Sequence, residues 1–321
     1  MISDHPKATV VITTKNRKDE LRTALRSVVM QSAPIEAIVI DDGSTDGTAE
    51  MVRSEFPGVR LFRDEASKGL IVQRNNGAER ARAPIIFSID DDAAFTDHTI
   101  VGDILAQFDD PRIGAVTIPK IDVKYNMELK ESAPDPRRVY ITAQFTGTSH
   151  ALRRDVFLSL GGYKGFFFHQ GEEGEYCIRM LNAGYVVRLG TSKPIHHYES
   201  PKRDRSRQIY FGTRNLVLFT WYNVPSIFLL PHLAVTILNG ILRPKMKRKA
   251  VAGIVAGLTS IPSQWSVRRP VAIAVYRLHR RLKKSPGRPI EEGGAVLMKR
   301  GSRGTPFPGR VVSKQPSPDS R

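Results

Sequence analysis

Residues 83–95, APIIFSIDDDAAF, run from an apolar stretch straight into three carboxylates, Asp90, Asp91 and Asp92. Like charges side by side repel, and a carboxylate beside a buried strand end gives up hydration, so the arrangement calls for a positive partner. A second acidic cluster, DDGSTDGT (41–48), follows the apolar run IVI, and a third, GEEGEY (171–176), precedes CIRMLNAGY. The adjacent histidines His196 and His197 close the set in PIHHYES. Carboxylates and imidazoles hold divalent cations and move protons, so these clusters are where chemistry is to be sought.

The elements that must position them can be read from apolar periodicity. TVVITT (9–14), EAIVI (36–40), VRLF (59–62), PIIFSI (84–89) and GAVTIP (114–119) are short apolar runs of the kind found in buried parallel strands. Between the first two, Leu21, Ala24, Leu25, Val28 and Val29 form one helical stripe. GTAEMVRSEF, KGLIVQRNNGAERAR and residues 97–108 read as further helices. Strands alternating with helices predict a mostly parallel sheet covered on both faces, with ligands beyond the carboxyl ends of the strands. Both aspartate clusters fall at such ends. Ser44 or Asp46 can serve simply as a helix N-cap. Acidic residues in the first turn of a helix over 171–185 would likewise stabilise it without any catalysis. Beyond residue 120 the rhythm weakens, with a strand in RRVYITAQF, then a loop, short strand and helix in GTSHALRRDVFLSLGGY.

The ordered set VVITTKNR, IVIDDGSTDGT, QRNNGA, FSIDDDA, GTSHALRR, GGY, GEEGEYCIRMLNAGY and HHYES resembles the family 2 glycosyltransferases, of the bacterial polysaccharide and rhamnosyltransferase-like kind, over roughly residues 8–200. The resemblance implies an α/β GT-A fold and an inverting transfer from a nucleotide-diphosphate sugar (UDP, dTDP or GDP), assisted by Mn²⁺ or Mg²⁺. In that pattern Asp92 is the direct metal ligand, Asp90 reaches the ribose or sugar, and Asp91 lies between them. Asp42 accepts a hydrogen bond from the nucleotide base, with Thr13 on the same edge, and Arg74 and Asn75 form a donor-binding pair. Glu173 stands where the family usually has Asp in GED and is the expected base, with Glu172 as its rival. Glu is one methylene longer than Asp, so the register there departs from the family's. Neighbouring histidines on a strand point to opposite sides, and His196 is favoured over His197 as a further metal ligand.

Charge divides the chain. Residues 1–200 carry 25 Lys+Arg against 28 Asp+Glu, whereas residues 201–321 carry 24 against 4. The expected division is a catalytic domain over 1–200, a basic, partly apolar helical region over 201–284, and a disordered tail over 285–321. The apolar stretch 216–242 is interrupted by Asn223, Pro225, Pro231, His232 and Asn239, and AVAGIVAGLTSIP is too short to span a bilayer. Helices lying on an anionic membrane surface fit this composition, and a helical cap packed on the catalytic domain is the alternative. The acceptor expected is a glycan or polyprenyl-linked hydroxyl. A single cysteine, Cys177, and an N-terminus without a long apolar run predict a cytoplasmic location, at the inner face of the membrane if the helices dock there.

Three rival readings are weaker. A sugar-phosphate nucleotidylyltransferase would open with a Gly-rich phosphate loop, and TTKNRKDE has no glycine. A nucleic-acid partner is not expected, because the aromatics of the basic third sit in apolar runs rather than among the cations. A degenerate nucleotide-sugar binder without turnover is opposed by the intact Asp90, Asp92 and Glu173.

Overall fold

The computed structural model describes residues 3–124, 127–199, 204–242 and 246–293. The order is β1 (Ala8–Thr14), α1 (Lys18–Val29), β2 (Ile35–Asp41), α2 (Thr48–Glu55), β3 (Arg60–Arg63), α3 (Leu70–Arg80), β4 (Ile85–Ile89), β5 (Ala93–Phe95) and α4 (Ile100–Leu105). Then come β6 (Ile113–Thr117), β7 (Lys120–Asp122), β8 (Leu129–Lys130), β9 (Tyr140–Thr142), β10 (Ser149–Arg153), α5 (Arg154–Ser159), α6 (Glu172–Asn182), β11 (Val186–Arg188) and β12 (Ile195–His197). The last elements among the described residues are α7 (Arg205–Asn223), α8 (Ser226–Leu242), α9 (Lys247–Ser260), α10 (Ile273–Lys284) and β13 (Arg288–Pro289).

Among the described residues nine strands form one sheet in the order β13-β9-β11-β6-β10-β4-β1-β2-β3. Every residue of β1 and β2 is buried, as expected of strands in the middle of a sheet covered on both faces. The expected parallel pairing holds from β3 through β2 and β1 to β4. Past β4 the sheet becomes mixed, because β10 runs antiparallel between β4 and β6. A second sheet, β5-β12-β7-β8, stands against the carboxyl-end side of β4, reached directly through Asp90, Asp91 and Asp92. Helix α1 buries Leu21, Ala24, Leu25 and Val28, the stripe read from its sequence. The helix expected over 97–108 is shorter: Asp97 accepts from the Thr99 amide before its start, and a tight turn from Gln107 to Ile104 ends it.

The C-terminal third is not a separate appendage. Val275, Leu278 and Leu282 of α10 belong to the same core cluster as the sheet's inner residues. Residues 285–293, expected as tail, fold back: Arg288 pairs with Ile141 and Pro289 with Tyr140, making β13 the sheet's last strand. The remainder of the expected tail, 294–321, lies outside the described residues. Among the described residues no helix is long and apolar enough to cross a membrane.

Candidate active site

The parallel register brings the carboxyl ends of β1, β2 and β4 together, and a cleft of about 890 Å³ opens there. Thr13, Asp42, Arg74, Asp90, Asp92 and Glu173 all line it. The fold thus draws together residues that sequence separates by as much as the length from β1 to α6.

Among the described residues, Arg17 and Arg74 pair with the three aspartates. Arg17 Nη1 lies 2.8 Å from Asp91 Oδ1 and 3.1 Å from Asp92 Oδ2. Arg74 Nη2 lies 2.8 Å from Asp90 Oδ1, and Thr148 Oγ1 donates to the other oxygen of Asp90 at 2.6 Å. Burial alone would raise the Asp90 carboxyl, but Arg74 and the Thr148 hydroxyl keep it below its ordinary value. Asp91 is deeper: burial pushes its carboxyl up to about 7, against the pull of Arg17 and a 2.8 Å hydrogen bond from Thr14 Oγ1. All three aspartates line the cleft, and the middle one is held from within the protein by Thr14 and Arg17.

The histidine assignment is reversed. Asp90, Asp92 and His197 each present a ligand atom within 4.8 Å of the others. His197 Nε2 points to Asp92 Oδ1 at 3.4 Å, while its Nδ1 lies 2.7 Å from Asp122 Oδ1. Antiparallel pairing with β5 on one side and parallel pairing with β7 on the other fixes which face of β12 turns to the aspartates, and His197 is on it. His196 points away, its ring packed edge-on to Tyr198 at 6.2 Å. Two carboxylates and an imidazole oriented by a second carboxylate are a donor set suited to a divalent cation such as Mn²⁺. Burial disfavours the imidazolium, yet Asp92 and Asp122 outweigh it and raise the His197 pKa.

Arg74 is the hub of the opposite wall. It is buried, with Nη1 3.1 Å from Glu172 Oε1 and 3.3 Å from Glu173 Oε1. Burial opposes its charge, but Asp90, Glu173 and Glu172 hold it protonated. One guanidinium cannot neutralise three carboxylates, so the most buried of them takes up a proton most readily. That one is Glu172, driven well above the carboxylate range by burial and by Glu173. Its Oε2 has no hydrogen-bond partner among the described residues. Glu173 remains the more accessible carboxylate, its side chain 18% exposed against 2% for Glu172. Gly147 makes this wall possible: a Cβ there would sit 2.3 Å from Glu173 Oε1 and 2.5 Å from Arg74 Nη1.

Two of the expected donor contacts are engaged within the protein. Asn75 donates to the Tyr163 carbonyl at 2.7 Å and accepts from the Tyr163 amide at 2.9 Å, so it ties down the GGY turn rather than facing the cleft. Asp42 lines the cleft, but its carboxylate accepts from Ser67 Oγ, the Lys68 and Gly69 amides and Gln73 Nε2. With two donors on each oxygen it anchors the 67–69 loop, and a base could reach it only by displacing one of them. Burial raises its carboxyl less than these hydrogen bonds lower it. Thr13 does line the cleft, as expected.

Sequence reasoning missed Arg17, Asp122 and Thr148. Arg17 carried a usable signal, a cation three residues past the end of β1 on the edge that holds the aspartates. Asp122 carried none, since its role depends on β7 lying beside β12.

The sheet order and the strand-end carboxylate cleft are those of the GT-A fold. The same fold is found in the mannosyltransferase PcManGT from Pyrobaculum calidifontis, solved with GDP-Man and Mn²⁺. That match has 20% identity and a TM-score of 0.57, and covers 87% of this chain and 84% of that one. Residues 9–167 match the model of Glycosyl transferase family 2. The chain belongs to the family 2 glycosyltransferases. Among its relatives, the uncharacterized glycosyltransferase YibD of Escherichia coli is 34% identical over 96 residues, 29% of this chain but only 28% of YibD's length. The O-antigen chain rhamnosyltransferase RfbN of Salmonella typhimurium is 26% identical over 230 residues, 64% of this chain and 71% of RfbN.

Proposed function

We propose that this protein is an inverting, metal-dependent glycosyltransferase that moves a sugar from a nucleotide-diphosphate donor (UDP, dTDP or GDP) to a hydroxyl of a glycan or lipid-linked acceptor. The observation that carries this reading is the approach of Asp90, Asp92 and His197 Nε2 to within 4.8 Å at one strand-end cleft, with His197 held from behind by Asp122. Asp92 and His197 would hold Mn²⁺ or Mg²⁺, with Asp90 shared between the ion and the donor. When bound, such an ion neutralises the diphosphate as it leaves. The GDP-Man and Mn²⁺ bound by PcManGT support the same pairing of nucleotide sugar and metal here.

Glu173 serves as the base in this reading. It takes the proton of the acceptor hydroxyl as that oxygen forms a bond to the anomeric carbon, and the bond from that carbon to the diphosphate breaks with its electrons. Arg74 Nη1, 3.3 Å from its Oε1, keeps Glu173 aimed, and Glu172, buried and readily protonated, shares the hub without facing the acceptor. Arg74 is committed to three carboxylates, so it positions the catalytic wall rather than gripping the diphosphate by itself.

Thermal unfolding against UDP, dTDP, GDP and CDP, with and without Mn²⁺, tests the reading. A ligand at one hundred times its dissociation constant stabilises by about 2.7 kcal/mol, and a shift with one nucleotide only when metal is present is expected. Glu173→Gln should keep that shift and lose turnover by about 10²–10⁴-fold, measured as nucleoside diphosphate released from the matching sugar donor. Glu172→Gln should lose much less. A metal-dependent shift without turnover in the unaltered protein would favour the degenerate binder, and no shift with any nucleotide would overturn the donor assignment.

A further inference from the structure

Helix α8 contains no charged residue from 226 to 242, and the side it turns outward is apolar. Ile227, Leu230, Val235, Leu238 and Leu242 are exposed at helical spacing, Ile227 at 70% and Leu230 at 75%. Single exposed leucines are ordinary on any protein; a continuous outward stripe along a whole helix is not. The stripe continues onto α9 through Val251 and Val255, and Trp265, 69% exposed, stands beyond the end of α9.

Cations border this surface. Lys247, Arg248 and Lys249 open α9, Arg269 follows Trp265 (its neighbour Arg268 is spent on the Trp221 and Val224 carbonyls), and residues 226–269 contain no Asp or Glu. We propose that α8, the outward side of α9 and Trp265 form a docking face for an anionic lipid bilayer, with the stripe entering the headgroup–acyl boundary and the cations on lipid phosphates. Exposed apolar side chains beside Lys and Arg, with an indole at the margin, match the composition of helices that lie in that boundary. The length of α8, about 25 Å at 1.5 Å per residue, suits a helix lying flat. Charge also decides between possible occupants. A symmetric contact with a second copy would add one cationic rim to another, with no carboxylate on either face to offset them.

The face is firmly joined to the cleft. Gly253 and Gly257 let α9 lie directly on α7, where a Cβ on Gly253 would meet the Tyr210 carbonyl oxygen at 2.2 Å. Thr213 Oγ1 of α7 also donates to the Ala250 carbonyl at 3.0 Å. The first turn of α7 in turn lines the cleft through Arg207 and Gln208. Docking would therefore hold the cleft at a membrane-borne acceptor, a consequence that rests on the transferase reading, whereas docking itself does not.

Sedimentation of the full chain with phosphatidylcholine vesicles, with and without phosphatidylglycerol, tests the proposal at low and high salt. Binding to the anionic vesicles at low salt, weakened by high salt, is expected. Leu230→Gln with Leu238→Gln should weaken it about tenfold or more. Replacing Lys247, Arg248 and Lys249 by Gln should weaken it about fivefold for each cation engaged. Both variants should keep the melting temperature and the nucleotide-induced shift of the unaltered chain. Protein left in the supernatant at low salt would overturn the proposal, as would undiminished binding by the leucine variant. A dimer in light scattering that the leucine variant splits would assign the face to a second copy instead. Binding that appears only after removal of residues 294–321 would assign it to the chain's own C-terminal segment.

Discussion

At His197 the position of one proton decides the role of the side chain. The 2.7 Å contact with Asp122 holds that proton on Nδ1 and leaves Nε2 turned to Asp92 as a potential ligand. His197→Ala should therefore abolish the metal-dependent melting shift, whereas His196→Ala should leave it intact. Asp122→Asn should weaken Mn²⁺ binding by about 10–100-fold, read from a Mn²⁺ titration of the shift. Equal losses from both histidine variants would mean that the ion is not held at β12. Residue type was legible here: the sequence contains the carboxylates, the histidine pair and the GEEGEY acids in plain view. Facing was not legible, because a one-residue choice on β12 is made by its distant partners β5 and β7, with Ile195 opposite Phe95 on one side and Lys120 on the other. For the same reason Asn75 reads as a donor contact in sequence but is spent on the backbone of Tyr163.

Elements with a strong period of their own, such as β1, α1, β2 and β4, could be read to within a residue or two. Those defined by distant partners could not. Strand β13 is two residues whose only mark is their pairing with β9, across more than a hundred residues of chain. The packing of α9 on α7 was equally hidden, since glycines within an apolar run read as flexibility or loss of helix propensity. Their use is close approach, and this yields a contrast between two helical glycines. Gly253→Ala should cost about 1–3 kcal/mol through overpacking, because backbone atoms of α7 occupy the space of its Cβ. Gly102→Ala in α4 meets nothing within 4 Å and should stabilise by about 0.5–1 kcal/mol. Equilibrium urea unfolding of the two variants checks both signs, and a neutral Gly253→Ala would show that α7 and α9 can part without loss.

For the molecule as a whole, burial of titratable groups sets opposing limits on its pH stability. His279 of α10 is buried in the core beside Phe219, and burial, then Lys283 and Arg280, drives its pKa down to about 3. Its Nε2 has no hydrogen-bond partner among the described residues. The folded state keeps this imidazole neutral, while the unfolded chain protonates it near pH 6.5. Its contribution is thus present above about 6.5 and lost as pH falls toward 3, amounting to about 2 kcal/mol by pH 5. Asp91 acts in the other direction. Its folded pKa is raised to about 7, so its contribution is complete below the unfolded value near 4 and disappears as pH rises through 7. The metal-free protein should therefore be most stable between these limits. Because the two slopes oppose each other between about pH 4 and 6.5, melting temperatures from pH 4 to 9 should show His279→Phe with a stability that falls steadily toward pH 7 and Asp91→Asn with one that rises toward 6.5. The rising slope belongs to the C-terminal helices and the falling slope to the strand-end aspartates. Because α10 lies in the same core as the sheet, both slopes should appear in a single unfolding transition. Two separate transitions, with His279→Phe moving only one of them, would mean that the basic third unfolds independently of the catalytic sheet.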